Sequence, residues 1–180
     1  MYRKEAVSQS LTSLVNGDVK EAVTISSNYY GGAGTLYERE TISIIECILE
    51  HDFTPDPTIK AKVLAPLRVV AAAMELWGVR EVQEFADVSG DWTYKLAPVD
   101  VIQLLYAAGL ERHRLELMRK SGVKKVEVRA RSDQPAASCQ KIAGQTFPID
   151  EVPDLPHSDA ACQCSYAAQS NQKTETISPI

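Results

Sequence analysis

Ile59, Val63, Leu67, Val70, Met74 and Trp77 recur every three or four residues, and Gly78 closes the series. That period sustains one apolar helix face over about five turns. A stripe of this length must be covered, so the rest of the chain is expected to supply helices that pack around it. Asp56-Pro57 reads as an N-cap followed by a first-turn proline. Pro66 lies inside the stripe and is expected to kink or divide the helix.

The flanking segments have the same character. Val7, Leu11, Leu14 and Val15 keep helical spacing up to the Asn16-Gly17 stop. Asp18 with Glu21, and Thr35 with Glu38, have the spacing of capping boxes that open two further helices, the second with Ile42, Ile45, Ile48 and Leu49 on its inner face. Between them Tyr29 to Gly34 holds three glycines and reads as a loop. Val79, Val82 and Phe85 suggest a short helix, and Trp92, Tyr94 and Leu96 a short strand. From Pro98 to Gly122 a long helix is expected, with Val101, Leu104, Leu105, Ala108, Leu115 and Met118 inward, and Gly109 where another helix comes close. At Val123 the period changes to two: Val126, Val128 and Ala130 alternate with charged residues, as in a half-buried strand. The expected class is mainly α: a helical domain over 1–121, a small irregular β-containing Cys/His-rich module over 122–166, and a flexible tail over 167–180.

Composition narrows the function classes only a little. At 180 residues, 44% hydrophobic and 24% charged, the chain is an ordinary globular one rather than a disordered or collagen-like one. Lys60, Lys62, Arg68 and Glu75 break the longest apolar stretches, so no membrane span is expected. The opening MYRKEAVSQS lacks the apolar core of a signal peptide, which points to an intracellular protein with reduced thiols. Charge is uneven. Residues 1–110 carry a net of −6, residues 111–131 a net of +5 and residues 132–180 a net of −4. The central belt comprises Arg112, Arg114, Arg119, Lys120, Lys124, Lys125, Arg129 and Arg131. Such a belt either meets a nucleic acid or an acidic partner, or neutralises the chain's own acidic segments.

The segment from Ser138 to Tyr166 concentrates Cys139, His157, Cys162 and Cys164 with the spacing Cys-x17-His-x4-Cys-x-Cys. Three thiolates and one imidazole are the soft ligand set of a structural Zn²⁺ site, although the spacing is not that of a standard finger. Pro148, Pro153 and Pro156 stiffen the connecting loop. The same residues could instead pack as small buried side chains around a short strand, or Cys139 could pair with Cys162 or Cys164 in a disulfide. A nucleophile–base pair of Cys139 and His157, oriented by Asp150, Asp154 or Asp159, has no protease-like surroundings to support it.

The run from Gly122 to Tyr166, about a quarter to a third of the chain, resembles the C-terminal end of the phage Mu F-like head morphogenesis (minor head protein) family. Asp133 matches that family's Asp, and Cys139 the second cysteine of its Cys-x2-Cys. Ile142-Ala143-Gly144 matches its Leu-x-Gly, and Leu155-Pro156-His157 with Cys162-Gln163-Cys164 its closing motif. Two departures stand out. Ala136 replaces the first cysteine, which makes His157 necessary for a fourth ligand, and Ser158 to Ala161 lengthens the gap before Cys162. Residues 1–97 carry none of that family's motifs. The resemblance implies a phage- or prophage-derived assembly component whose partners are other protein subunits.

The body offers no motif for catalysis, and the expectation is a non-enzymatic protein. Gly31-Gly32-Ala33-Gly34-Thr35 lacks the Lys-Ser/Thr of a P-loop and follows no strand. Glu46 and Glu50 lack the histidine spacing of a di-iron site. His51 and His113, set among charges on helices, are expected to be solvated. The competing class is a nucleic-acid-binding or regulatory module acting through the basic belt.

Overall fold

A computed structural model describes residues 2–32, 35–54, 61–80, 82, 99–131, 135–156 and 162–169. Among these the chain forms α1 (Arg3–Val15), α2 (Val19–Tyr29), α3 (Thr35–Glu50), α4 (Ala61–Trp77) and α5 (Val99–Lys120). These are followed by β1 (Lys125–Ala130), α6 (Ala137–Gln140), β2 (Thr146–Pro148) and β3 (Cys164–Ala168). The protein is mainly helical with a small β part, as the sequence predicts, and that part is an antiparallel sheet in the order β2-β1-β3.

The stripe ending at Trp77 becomes α4, and it is central. It packs against α1, α3 and α5. Ala71, Ala72 and Ala73 are each fully buried, so neighbours surround this helix instead of covering one face. Burying Val70, Met74 and Trp77 contributes about 1.5–3 kcal/mol each. The helix runs unbroken through Pro66, which does not divide it. The backbone bond that proline cannot make is outweighed by the packing on all sides.

Local signals explain several boundaries. The Asp18 side chain accepts the Glu21 N–H at 3.0 Å and starts α2. Glu38 accepts a hydrogen bond from Ser27 Oγ at 2.8 Å, which ties α3 to α2. At the end of α5 the N–H of Val123 reaches Met118 O and that of Gly122 reaches Arg119 O, both at 3.0 Å. Gly122 sits at φ 77°, the left-handed cap this reversal needs before β1. Val15, expected inward, is exposed at the last position of α1. The strand expected at Trp92 to Leu96, Phe85, and the caps at Asp56-Pro57 and Pro98 lie outside the described residues.

Helix α5 serves two cores. Val101, Ile102 and Leu105 join the helical core with α1, α2, α3 and α4. Leu115, with Met118 against it, joins a second core of Val126, Val128, Cys139, Ile149, Leu155, Cys164 and Tyr166. The last turns of α5 therefore pack with the module. At its other end β3 continues through Ala168, and the Gln169 N–H bonds to Lys125 O at 3.1 Å. Ala167 and Ala168, assigned to a flexible tail from sequence, lie in β3.

Both helical histidines depart from expectation. His51 and His113 are 2% and 7% exposed. His51 Nε2 lies 3.0 Å from Leu105 O, and a carbonyl can only accept, so Nε2 carries the proton. Burial, reinforced by the nearby Arg68 guanidinium, lowers its pKa to about 4. His113 Nδ1 meets Ser43 Oγ at 3.2 Å. Both sit on the seam between α3 and α5, where side chains that are charged-face neighbours in sequence are covered by the opposite helix.

Two predictions follow from this seam. A Cβ on Gly109 would lie 2.6 Å from Ile48 Cα, backbone that cannot give way easily. Gly109→Ala should therefore destabilise the protein by about 1–3 kcal/mol despite the better helix propensity of alanine, and an unchanged urea midpoint would contradict the close crossing. The second concerns acid. Because the folded-state pKa of His51 lies below the unfolded value, the unfolded chain takes up the proton first as pH falls from about 6.5 towards 4. Over that window this one group should remove on the order of 3 kcal/mol of stability, with no further loss below it. His51→Gln, which keeps a donor for Leu105 O, should flatten this limb. Parallel stability–pH curves for the two proteins would rule it out.

Candidate metal centre

Three of the four sequence-predicted ligands meet. Cys139, on the short helix α6, is 1% exposed. Hydrogen bonds from Ile142 N and Ala143 N to Cys139 O turn the chain after α6. Gly144 N then bonds to Val128 O at 2.8 Å, so the Ile142-Ala143-Gly144 segment lays α6 against β1. From the other side, Ala130 pairs with Cys164, and the Arg131 N–H reaches Gln163 O at 3.1 Å, extending the ladder towards Cys162. The sulfurs of Cys139, Cys162 and Cys164 all lie within 4.8 Å of one another. A tetrahedral Zn²⁺ with bonds of about 2.3 Å sets sulfurs roughly 3.8 Å apart, so contraction by about 1 Å would complete three positions. His157 lies outside the described residues. So does Asp133.

The thiols are unequal. Burial raises the Cys139 pKa, but hydrogen bonds from the Cys164 and Cys162 thiols, the Gln163 N–H and the Ser138 hydroxyl outweigh it and leave it below the ordinary thiol value. Cys164 is pushed up by burial, by its hydrogen bond to Cys139 and by the negative charge of its neighbours. Cys47 stands apart, buried on α3, its thiol pushed up to about 11 by burial and then by Glu116. That is the setting of an unreactive thiol.

A residue the sequence reading passed over holds the site in place. Glu111 is 6% exposed, and its Oε2 accepts the Tyr166 N–H at 2.9 Å. Its Oε1 pairs with Arg114 and, at 3.7 Å, with Arg131. One carboxylate on α5 thus caps the outer edge of β3 two residues from Cys164 and gathers two arginines. The available signal was its position: Glu111 falls between Ala108 and Leu115 on the apolar face of α5. Beside it lies a cavity of about 340 Å³ whose lining includes Glu111, Arg114, Arg131, Pro156, Cys162 and Cys164.

The basic belt is largely engaged with the chain's own acids. Besides Arg114 and Arg131, Arg112 pairs with Glu116, Arg129 with Glu127, and Arg119 with Asp150. Arg119 also donates to Ile149 O at 3.2 Å, joining α5 to the segment after β2. Lys120, Lys124 and Lys125 are exposed and pair with no carboxylate among the described residues.

The fold and site define a mainly helical protein carrying a small β module with a three-cysteine cluster suited to a metal ion. Among the described residues no helix is long and apolar enough to cross a membrane. No family model, curated protein or solved structure matches this chain.

Removing the Glu111 carboxylate leaves a buried N–H and two guanidinium groups without it. Glu111→Ala should cost roughly 3 kcal/mol, and Glu111→Gln distinctly less because its carbonyl can still accept from Tyr166. Amide exchange at Tyr166 checks this. Unchanged protection in Glu111→Ala would show that the edge is held by other contacts.

Proposed function

We propose that this chain is a non-enzymatic structural or assembly component of a phage- or prophage-derived particle, its C-terminal module closed by a structural Zn²⁺. One observation carries the reading. Cys139, Cys162 and Cys164, separated by up to twenty-four residues of chain, converge on one point. They are the same residues that the resemblance to the minor head protein family selects. Zinc suits three thiolates with an imidazole, because it needs no redox chemistry and accepts a closed tetrahedron of soft and borderline ligands. His157 supplies the fourth ligand in this proposal. Its chain neighbour Pro156 lines the same cavity as Cys162 and Cys164.

The module's small core explains what the ion contributes. Its sheet has strands of six, three and five residues, and much of the connecting chain is irregular. Structural zinc supplies folding free energy directly, with apparent values of about 10–16 kcal/mol in zinc-finger peptides. In the proposed role the metal fixes a recognition surface for neighbouring subunits. The belt arginines, paired internally, strengthen that module more than they advertise a nucleic-acid interface.

Protein purified without chelator should contain about one equivalent of zinc. His157→Ala and Cys162→Ala should lose metal and loosen the module to similar extents, whereas Cys47→Ala should keep its zinc. Less than a tenth of an equivalent in the native protein would remove the metal from the proposal. For the assembly role, the protein should copurify with a larger particle. Strong DNA retention that falls steeply with added salt would favour the nucleic-acid reading instead.

A further inference from the structure

We propose that Cys139 and Cys162 form a reversible disulfide, and that closing it dismantles the metal-binding cluster. The metal half of this inference rests on the zinc reading; the pairing of the two cysteines does not.

The three sulfurs lie within 4.8 Å of one another. A disulfide needs about 2.05 Å, so any pair must close by at most roughly 2.8 Å, within reach of a side-chain rotation and a small loop shift. The backbone decides which pair moves. Cys164 is fixed in β3, paired with Ala130. Cys139 is anchored by α6 and the turn that follows it. Cys162 precedes β3 in irregular chain and is the half-buried member of the three. A bond between Cys162 and Cys164 is disfavoured, because residues two apart on extended chain are separated by about 6.6 Å between Cα atoms, near the upper limit for a disulfide. Cys139 is the remaining partner.

Access comes through the cavity of about 340 Å³ that Cys162 and Cys164 help to line. Hydrogen peroxide entering there converts the Cys162 thiol to a sulfenic acid and releases one water. The Cys139 thiol then attacks that sulfur, forms the S–S bond and releases a second water. Two thiols are oxidised and one peroxide is reduced. When zinc is bound, the two electrons come from two of its thiolates and the peroxide takes up two protons. That oxidation would leave the ion a single cysteine ligand, too few to hold it.

The test uses the full chain, metal-free and zinc-loaded, treated with one equivalent of hydrogen peroxide. In the metal-free protein the intact mass should fall by about two units, and dithiothreitol should restore it. Tandem mass spectrometry should place the cross-link between Cys139 and Cys162, and zinc uptake should fall at least about tenfold while the bond stands. Zinc-loaded protein should release about one ion per disulfide formed. Cys47→Ser should behave as the native chain, and Cys164→Ser should retain the cross-link. Chain-to-chain dimers, a Cys162–Cys164 link, or a gain of about 32 mass units from sulfinic acid would overturn the proposal. If the reduced protein takes up no zinc yet forms the Cys139–Cys162 bond, the zinc reading falls and the pairing stands. If zinc binds and no such bond forms, the reverse holds.

Discussion

The Glu111 carboxylate is where the two cores of this protein meet. It is buried, and a buried carboxylate is tolerable only when its oxygens are occupied. Here one oxygen takes the Tyr166 N–H, which would otherwise be a buried donor at the edge of a sheet, and the other takes Arg114 and Arg131. The arrangement solves two problems together. The helix gains partners for a charge on its apolar face, and the strand gains a partner for an N–H that β1 cannot reach. Because β3 carries Cys164 and leads directly from Cys162, the position of two of the three clustered cysteines depends on this contact.

The charge distribution follows from the same logic. A belt of +5 between two acidic regions looks like an interface when read along the chain. In three dimensions its arginines connect neighbouring elements: Arg119 binds α5 to Asp150 and Ile149, and Arg131 joins the end of β1 to α5. Exposed pairs such as Arg112 with Glu116 contribute little, of order a few tenths of a kcal/mol. The lysines at the turn between α5 and β1 are the exposed remainder.

Much of the fold was legible because it depends on period and punctuation. The stripe before Trp77, the stops at Gly17 and Gly122, and the change of period at Val123 are local features, and the elements form where they point. Gly109 was legible too: a glycine inside a helical pattern signalled a close approach, and Ile48 provides it. Three cysteines of the candidate site were visible through residue type alone. What sequence could not convey was which side chains long-range packing would cover. His51 and His113 look solvated until Leu105 O and Ser43 close over them from the facing helix. The role of Glu111 was not legible because its partners Tyr166 and Arg131 lie far along the chain. The packing of Leu115 against the module is hidden for a related reason, since a turn marks where an element ends and not where its hydrophobic face is used.

That shared helix gives the protein a mechanical character its chain order conceals. Val101 and Leu105 are gripped by one core and Leu115 by the other, so α5 acts as an axle held in two bearings. A force or a bound partner that rotates the module must turn the same rod that crosses α3 at Gly109, where there is no room for a side chain to slip past. A fragment cut at residue 122 would leave β1 and β3 without Leu115 and the rest of the α5 surface they fold against.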